Sequence, residues 1–202
     1  MRNTCVNPKS TRILFLLIAY LISSGIAAAP WERVIIIHLQ GNNIEAGFAG
    51  ESSPRVSMPA VVGTGGSSGP MIGMQSARTY YGQDALDRSG LKLTYAVQNQ
   101  RIVDFTAFKK LVAHILSSKL GIDSTEAAVV MNEASGSPDS VRKQTTQLFF
   151  EGLGVQGFFM SYQFQGFAQM SSMASQSTFV ETFITQDEYD EIGASVILRK
   201  SP

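Results

Sequence analysis

The segment 34–49 constrains the fold of this chain more than any other. It begins with the β-branched run 34–37, continues through the turn residues 41–43, and ends in a second apolar stretch over 44–49. β-Branched residues favour strands, and a Gly-Asn turn between two apolar runs is typical of a hairpin. The sequence therefore predicts a β-hairpin here.

Further strand and helix patterns alternate along the chain. Short apolar runs of strand length occur at 58–62, 91–97, 128–131 and 158–162. Apolar residues at helical spacing predict one helix that begins near Phe105 and stops at Gly121, and a second over 138–151. Together these patterns predict an α/β or α+β layer structure with a mixed sheet.

The composition is that of a folded protein with one core. A chain of 202 residues with 44% hydrophobic content can form a single domain. Its sixteen basic and sixteen acidic residues cancel, so no overall field attracts nucleic acid. Cys5 is the single cysteine, and neither His38 nor His114 has cysteines around it, which argues against a disulfide or a zinc site.

Residues 1–30 have the pattern of a leader. Arg2, Lys9 and Arg12 precede an apolar run over 13–22, and small residues follow. A basic start, a short apolar stretch and a small-residue end are the three parts of a secretory signal peptide.

Two other interpretations of this leader stay open. Extended through Ile26, the apolar run could serve as an uncleaved membrane anchor. The segment could also be an extension without any targeting role. A membrane partner is therefore expected only if the leader is an anchor, and the secretory pathway only if it is a signal.

Several stretches, taken together, resemble the actin family. They are Ile-Glu-Ala-Gly-Phe-Ala-Gly at 44–50, Pro-Ala-Val-Val-Gly at 59–63, Gly-Pro-Met-Ile-Gly-Met at 69–74, Ser-Thr-Phe at 177–179, Gln-Asp-Glu-Tyr-Asp-Glu at 186–191 and Gly-Ala-Ser-Val-Ile-Leu-Arg-Lys at 193–200. They follow the order found in actin, and the resemblance covers nearly everything after Val34. It implies a ribonuclease-H-like first lobe, a small outer subdomain and C-terminal helices, one of them over 172–183.

The resemblance also implies that the family's central region is missing. Between Gln169 and Ser171 the sequence passes directly from the family's first part to its last helices. The missing region supplies half of the nucleotide cleft, including a second phosphate loop and the adenine contacts. We therefore interpret residues 31–202 as a truncated actin-like domain with its junction at 169–171, preceded by the leader 1–30.

The phosphate-binding hairpin of the family is altered in this chain. In the family its turn reads Asp-Asn-Gly-Ser-Gly, and the aspartate handles hydrated Mg²⁺ while the backbone amides cradle phosphates. Here His38 replaces the aspartate and Glu45 replaces the lysine that faces the phosphates. Gly41 and Asn42 remain as weak candidates for cofactor binding, so neither ATP nor Mg²⁺ is expected as a bound cofactor.

Gln163 aligns with the residue that orients the attacking water in the family. Orienting water has value only when a γ-phosphate lies opposite. We therefore interpret Gln163 as a vestigial candidate that now serves as a hinge or packing residue, and we expect no catalytic residue.

The Gly- and Ser-rich stretch 63–69 leads to an apolar tip at Pro70, Met71, Ile72 and Met74. Composition alone indicates a flexible loop. The resemblance places this tip on the mobile loop that docks into the next subunit of a filament. The receiving groove would be formed by residues 169, 172, 173, 176 and 182, of which only Met173 is apolar.

The resemblance favours a cytoskeletal structural or interaction protein that has lost ATP hydrolysis. Actin or another actin-like protein is the expected partner, and the cytoplasm is the expected location. Two alternatives stay open. One is an actin-like ATPase whose cleft is completed by a partner, and the other is a spliced or decaying product without a function.

Overall fold

The computed structural model describes residues 31, 33–65 and 78–200. The predictions for the leader 1–30 fall outside these residues. The strands are β1 (Arg33–Gln40), β2 (Asn43–Phe48), β3 (Val56–Pro59), β4 (Val61–Gly65), β5 (Arg78–Tyr81), β6 (Lys92–Tyr95), β7 (Val97–Gln98), β8 (Arg101–Ile102), β9 (Ala127–Asn132), β10 (Gly157–Ser161) and β11 (Ile184–Thr185). The helices are α1 (Gln83–Leu86), α2 (Phe105–His114), α3 (Asp139–Gln147), α4 (Phe167–Ala174), α5 (Gln186–Ile192) and α6 (Ile197–Lys200).

The largest sheet has six strands in the order β11-β10-β9-β1-β2-β3. Strands β1, β2 and β3 pair antiparallel in sequence order, whereas β9 pairs parallel with both β1 and β10. Parallel strands cannot be joined by a tight turn and need a crossover connection, and here helices provide it. The structure thus confirms the mixed α/β fold, the hairpin over 34–49 and the strands expected near 128–131 and 158–162.

A smaller antiparallel sheet, β5-β4-β6, branches from the large sheet at Ala60. The single strand predicted over 58–62 is wrong, because β3 lies in the large sheet and β4 in the small one. The N–H of Ala60 donates to Asn42 O at 2.8 Å, and its carbonyl accepts from Ala96 N–H at 2.8 Å. The N–H and the carbonyl of Ala60 are therefore both hydrogen-bonded where the chain passes from the large sheet to the small one. The alternation of side chains in the sequence does not reveal this point.

The strand predicted over 91–97 is also divided, at Ala96, into β6 and β7. Strands β7 and β8 form a short antiparallel ribbon joined by the two-residue turn Asn99–Gln100. The N–H of Val103 donates to Ala96 O at 2.9 Å and closes this ribbon.

The first two long helices lie where the periodicity predicts them. Helix α2 begins after Asp104, whose side chain accepts the N–H of Ala107 at 2.7 Å, as an N-cap does. A π-helical turn (Ile115–Leu120) extends it to Gly121, which has φ of 68°. Helix α3 similarly begins after Pro138 and continues as a second π-helical turn.

The single helix expected over 172–183 is wrong. Helix α4 begins earlier and ends at Ala174, and a 3₁₀ segment (Ser177–Thr182) follows. The Ser175 hydroxyl donates to Ser172 O at 2.8 Å, and Gln176 N–H donates to Met173 O at 3.1 Å. These local bonds stop the helix, since serine competes for backbone acceptors.

The two faces of the large sheet have different coverings. Residues such as Ile35 and Val129 face the main core with α2 and α3, whereas α4 lies on the opposite face. That opposite face also carries aromatic rings, from Trp31, Phe159, Phe164, Phe179 and Phe183. Glycine permits the closest approaches there: a Cβ on Gly157 would lie 2.6 Å from the Trp31 ring.

Among the helices formed by residues 33–65 and 78–200, we find none with the length and hydropathy to span a bilayer.

Candidate functional site

The turn of the β1–β2 hairpin consists of Gly41 and Asn42. Gln40 and Asn43 are paired on either side of it, so the turn has two residues. Gly41 has φ of 61°, and a Cβ at this position would meet nothing within 4 Å. Glycine is needed here for its backbone conformation and not for close contact.

A second tight turn, at Asn99 and Gln100, holds the Gly41–Asn42 turn. Gln100 N–H donates to Gly41 O at 2.7 Å, and Asn99 N–H donates to Asn42 Oδ1 at 3.0 Å. In the described part of the chain, Asn99 and Gln100 alone combine positive φ with a side chain, at 50° and 62°. We call these two bonded turns the clasp. It uses the Asn42 side chain and the Gly41 carbonyl for a contact within the protein.

His38 and Glu45 face each other across the same hairpin. They are directly opposed in the strand register, and His38 Nδ1 lies 2.9 Å from Glu45 Oε2. His38 is only 5% exposed. A hydrogen bond to a carboxylate places a proton on Nδ1, so this nitrogen cannot accept a bond from a ligand or bind a cation.

Asn132 fastens the end of β1 to the end of β9. Its Oδ1 accepts Leu39 N–H at 2.6 Å, and its Nδ2 donates to Leu39 O at 3.0 Å. The regular pairing of these strands stops earlier, at Ile37 and Met131. An amide at the end of an apolar strand is the only sequence signal of this contact, and it does not identify the partner.

A buried ion pair lies directly after β9. Glu133 Oε1 is 3.1 Å from Arg142 Nε, and both side chains are largely buried. Burial raises the pKa of Glu133, and the Arg142 guanidinium opposes this shift. The sequence shows both residues but not their contact, because nine positions and a loop separate them.

A cavity of about 230 Å³ lies at the carboxyl ends of the parallel strands β1, β9 and β10. Ligands of open α/β sheets commonly bind at this edge. Its polar wall contains Asn132, Glu133 and, from α3 and the loop before it, Thr145 and Ser137. Its apolar wall is formed by Leu39, Ile102, Met131, Val141 and Met160. No sequence pattern indicates this cavity, since its walls come from five separate segments.

Gln163 lies just after the end of β10. Its side chain is exposed, and its backbone N–H donates to Ser161 Oγ at 3.2 Å. Exposure argues against a packing role, and the hinge role stays a prediction. Strand β9 separates β10 from the hairpin that carries Gly41.

The expected contact surfaces are only partly described. Pro70, Met71, Ile72 and Met74 lie outside the described residues, so the prediction of a contact loop stays a prediction. Met173 lies on α4 and is 38% exposed. Of the polar positions expected around it, 169, 172 and 176 are exposed and 182 is half-buried.

Comparison with protein families provides one match. Residues 31–169 match the family model described as Actin. The matched range contains both turns of the clasp, the His38–Glu45 pair and the walls of the cavity, and it is well over half of the 202-residue chain. On this match, the chain belongs to the actin family.

Proposed function

We propose that this chain is a structural or interaction protein of the actin family that does not hydrolyse ATP. The observation that carries the proposal is the His38–Glu45 pair. By resemblance to the family, the two residues align with its magnesium-handling aspartate and its phosphate-facing lysine. In this chain they bond to each other at 2.9 Å.

The chemistry of this pair opposes binding of a magnesium triphosphate. Mg²⁺ prefers oxygen ligands and dehydrates reluctantly, so an imidazole is a poor replacement for a carboxylate. A phosphate charge about 4 Å from a carboxylate near a protein surface is repelled by about 4 kcal/mol. That energy corresponds to about a thousandfold loss of affinity.

The clasp holds the turn of the hairpin without using its backbone donors. Gln100 N–H donates to Gly41 O and Asn99 N–H donates to Asn42 Oδ1, so these bonds use acceptors and not the backbone N–H groups that a phosphate needs. The proposal therefore rests on His38 and Glu45. The exposed Gln163 has no phosphate to act on in this proposal, and we assign no catalytic residue.

A nucleotide titration tests the loss of ATP binding. Binding at a hundred times the Kd would stabilise the fold by about 2.7 kcal/mol, so tight binding is easily seen in a thermal melt. We expect no shift with millimolar Mg-ATP. Tight binding or steady hydrolysis by the purified chain would contradict the proposal, and hydrolysis above that of actin alone in a mixture would favour an ATPase completed by a partner.

As partner we propose actin or another actin-like protein, in the cytoskeleton. The apolar tip at Pro70, Met71, Ile72 and Met74 would insert into a neighbouring subunit, whereas the polar surroundings of Met173 would receive one poorly. Such a molecule could dock on one end of a filament and accept no successor.

Elongation of pyrene-labelled actin tests this docking. We expect excess protein to slow elongation at the fast-growing end. The double variant Met71→Asp, Met74→Asp should lose the effect, because charged side chains do not enter an apolar groove. The matched change Glu181→Asp, at an exposed site on the 3₁₀ segment, should keep it. Unchanged elongation with excess wild-type protein would refute the docking.

A further inference from the structure

The polar wall of the cavity presents hydrogen-bond acceptors. The Ser137 hydroxyl donates to Ala134 O at 2.7 Å, and the Thr145 hydroxyl donates to Val141 O at 2.8 Å. Each hydroxyl has one proton, so each oxygen retains only acceptor capacity. A molecule in this cavity therefore gains from bringing a donor.

The remaining polar groups of this wall also favour a ligand that brings a hydrogen-bond donor. The Asn132 amide is occupied by both backbone groups of Leu39. Glu133 Oε2 is buried and makes no well-directed hydrogen bond among the described residues; the nearby Ser137 hydroxyl, which helps to lower the pKa of Glu133, donates to Ala134 O. A buried acceptor without a donor costs about 1–3 kcal/mol. The terminal torsion of glutamate is soft, so a small rotation can direct its carboxylate to an incoming donor.

The charges around the cavity select a neutral ligand. Glu133 already pairs with Arg142, and Arg101 stands at the rim, where its Nη2 donates to Ser135 O at 3.2 Å. A cationic ligand would meet two guanidinium groups close by. An anionic ligand could pair with Arg101 at the rim, but inside the cavity it would meet the Glu133 carboxylate and a wall of acceptors, which repel it.

The volume limits the ligand to about one ring. A cavity of about 150 Å³ with apolar walls can hold benzene, and sites for drug-sized molecules begin near 300 Å³. The volume of about 230 Å³ lies between these values. Five apolar side chains would enclose the body of such a molecule.

We propose that this cavity binds a small neutral molecule that combines an apolar body of about one ring with a single O–H or N–H donor, directed at Glu133, Ser137 and Thr145. This site is independent of the loss of ATP binding, since neither His38 nor Glu45 lines it.

A series of single-ring probes tests the ligand class on the full chain. Phenol, anisole, benzoate and benzylamine share a ring and differ in donor and charge. Binding is followed by the methyl NMR signals of Ile102 and Val141. We expect saturable binding of phenol, about fivefold weaker binding of anisole because one hydrogen bond is lost, and weaker binding still of the two charged probes. Equal binding of phenol and anisole, or no binding of phenol, would overturn the proposal.

A matched pair of double variants tests the location. Ser137→Ala with Thr145→Val removes two of the three acceptors and leaves Glu133, so the preference for phenol over anisole should become smaller. Ser175→Ala with Thr146→Val removes hydroxyls that make the same local bonds, to the carbonyls of Ser172 and Arg142, outside the cavity. This control should keep the preference for phenol.

A cavity-filling variant gives a third measurement that does not depend on the acceptors. Val141→Phe places a larger side chain in the wall and should abolish binding of every probe. Probe binding that survives this change would show that the ligand lies elsewhere, and the proposed site would be wrong.

Discussion

The His38–Glu45 pair can be tested by exchanging its charges. We expect His38→Asp to lower the free energy of unfolding by about 2 kcal/mol, because it places two carboxylates together at a largely buried position. Adding Glu45→Lys should recover more than half of this loss, since the new pair attracts. Urea denaturation of the wild type, both single variants and the double variant gives the coupling energy.

The exposed change Glu181→Lys serves as the control and should alter stability by less than about 0.5 kcal/mol. Additive effects of the two changes in the hairpin would contradict the contact between His38 and Glu45.

Glu133 makes stability depend on pH. Because burial raises its pKa, the folded state holds this proton more tightly than the unfolded state does. Its contribution to stability is present below the unfolded pKa and is lost as pH rises through the folded pKa. We therefore expect wild type to lose stability relative to Glu133→Gln as pH rises from about 4.5 to neutrality. A constant difference in urea denaturation would contradict the raised pKa.

At the scale of elements, the packing of β10 against Trp31 permits a test. Gly157→Ala would place a Cβ 2.6 Å from the Trp31 ring. We expect a loss of about 1–3 kcal/mol, because overpacking moves the ring or the strand. Trp31 is the only tryptophan in the chain, so its fluorescence reports the change directly.

Gly166→Ala is the matched control for this change, since a Cβ there would meet nothing within 4 Å. Its stability should stay close to that of the wild type. An equal loss in both variants would show that backbone freedom, and not the Trp31 contact, determines the cost.

Hydrophobic periodicity was sufficient to predict those helices and strands that are determined by their own residues. The hairpin over 34–49, α2 with its stop at Gly121, and the strands near 128–131 and 158–162 are of this kind. The division at Ala60 and the break at Ser175 could not be predicted, because both depend on hydrogen bonds at single residues. The cavity and the clasp join segments far apart in sequence, and their contacts exist only once the sheet has formed.

At the scale of the whole molecule, α4 joins the C-terminal segment to the first lobe. The Phe167 ring fills the space above Gly47, where a Cβ would lie 2.8 Å from it. The Ser171 hydroxyl donates to Phe48 O at 3.2 Å, and Gly50 N–H donates to Ser171 O at 3.2 Å. The residues of the predicted junction thus cover one face of the sheet.

Because α4 joins the C-terminal segment to the first lobe, we expect a single unfolding transition. Trp31 packs against Phe183 with ring centroids 4.9 Å apart, so one core includes residues from both sides of the junction. Urea curves from Trp31 fluorescence and from far-UV circular dichroism should therefore coincide. Phe183→Leu should shift both midpoints equally, and separate transitions would show that the C-terminal segment unfolds on its own.

The clasp has a consequence for the exchange of amide hydrogens with solvent. Amide hydrogens in an exposed turn normally exchange with solvent through local opening of that turn alone. The N–H groups of Asn99 and Gln100 are bonded to Asn42 and Gly41, in a different hairpin. Their exchange requires the two hairpins to separate, so both amides should be protected as strongly as the neighbouring strands. The β7–β8 ribbon and the large sheet are then expected to open together, as one unit.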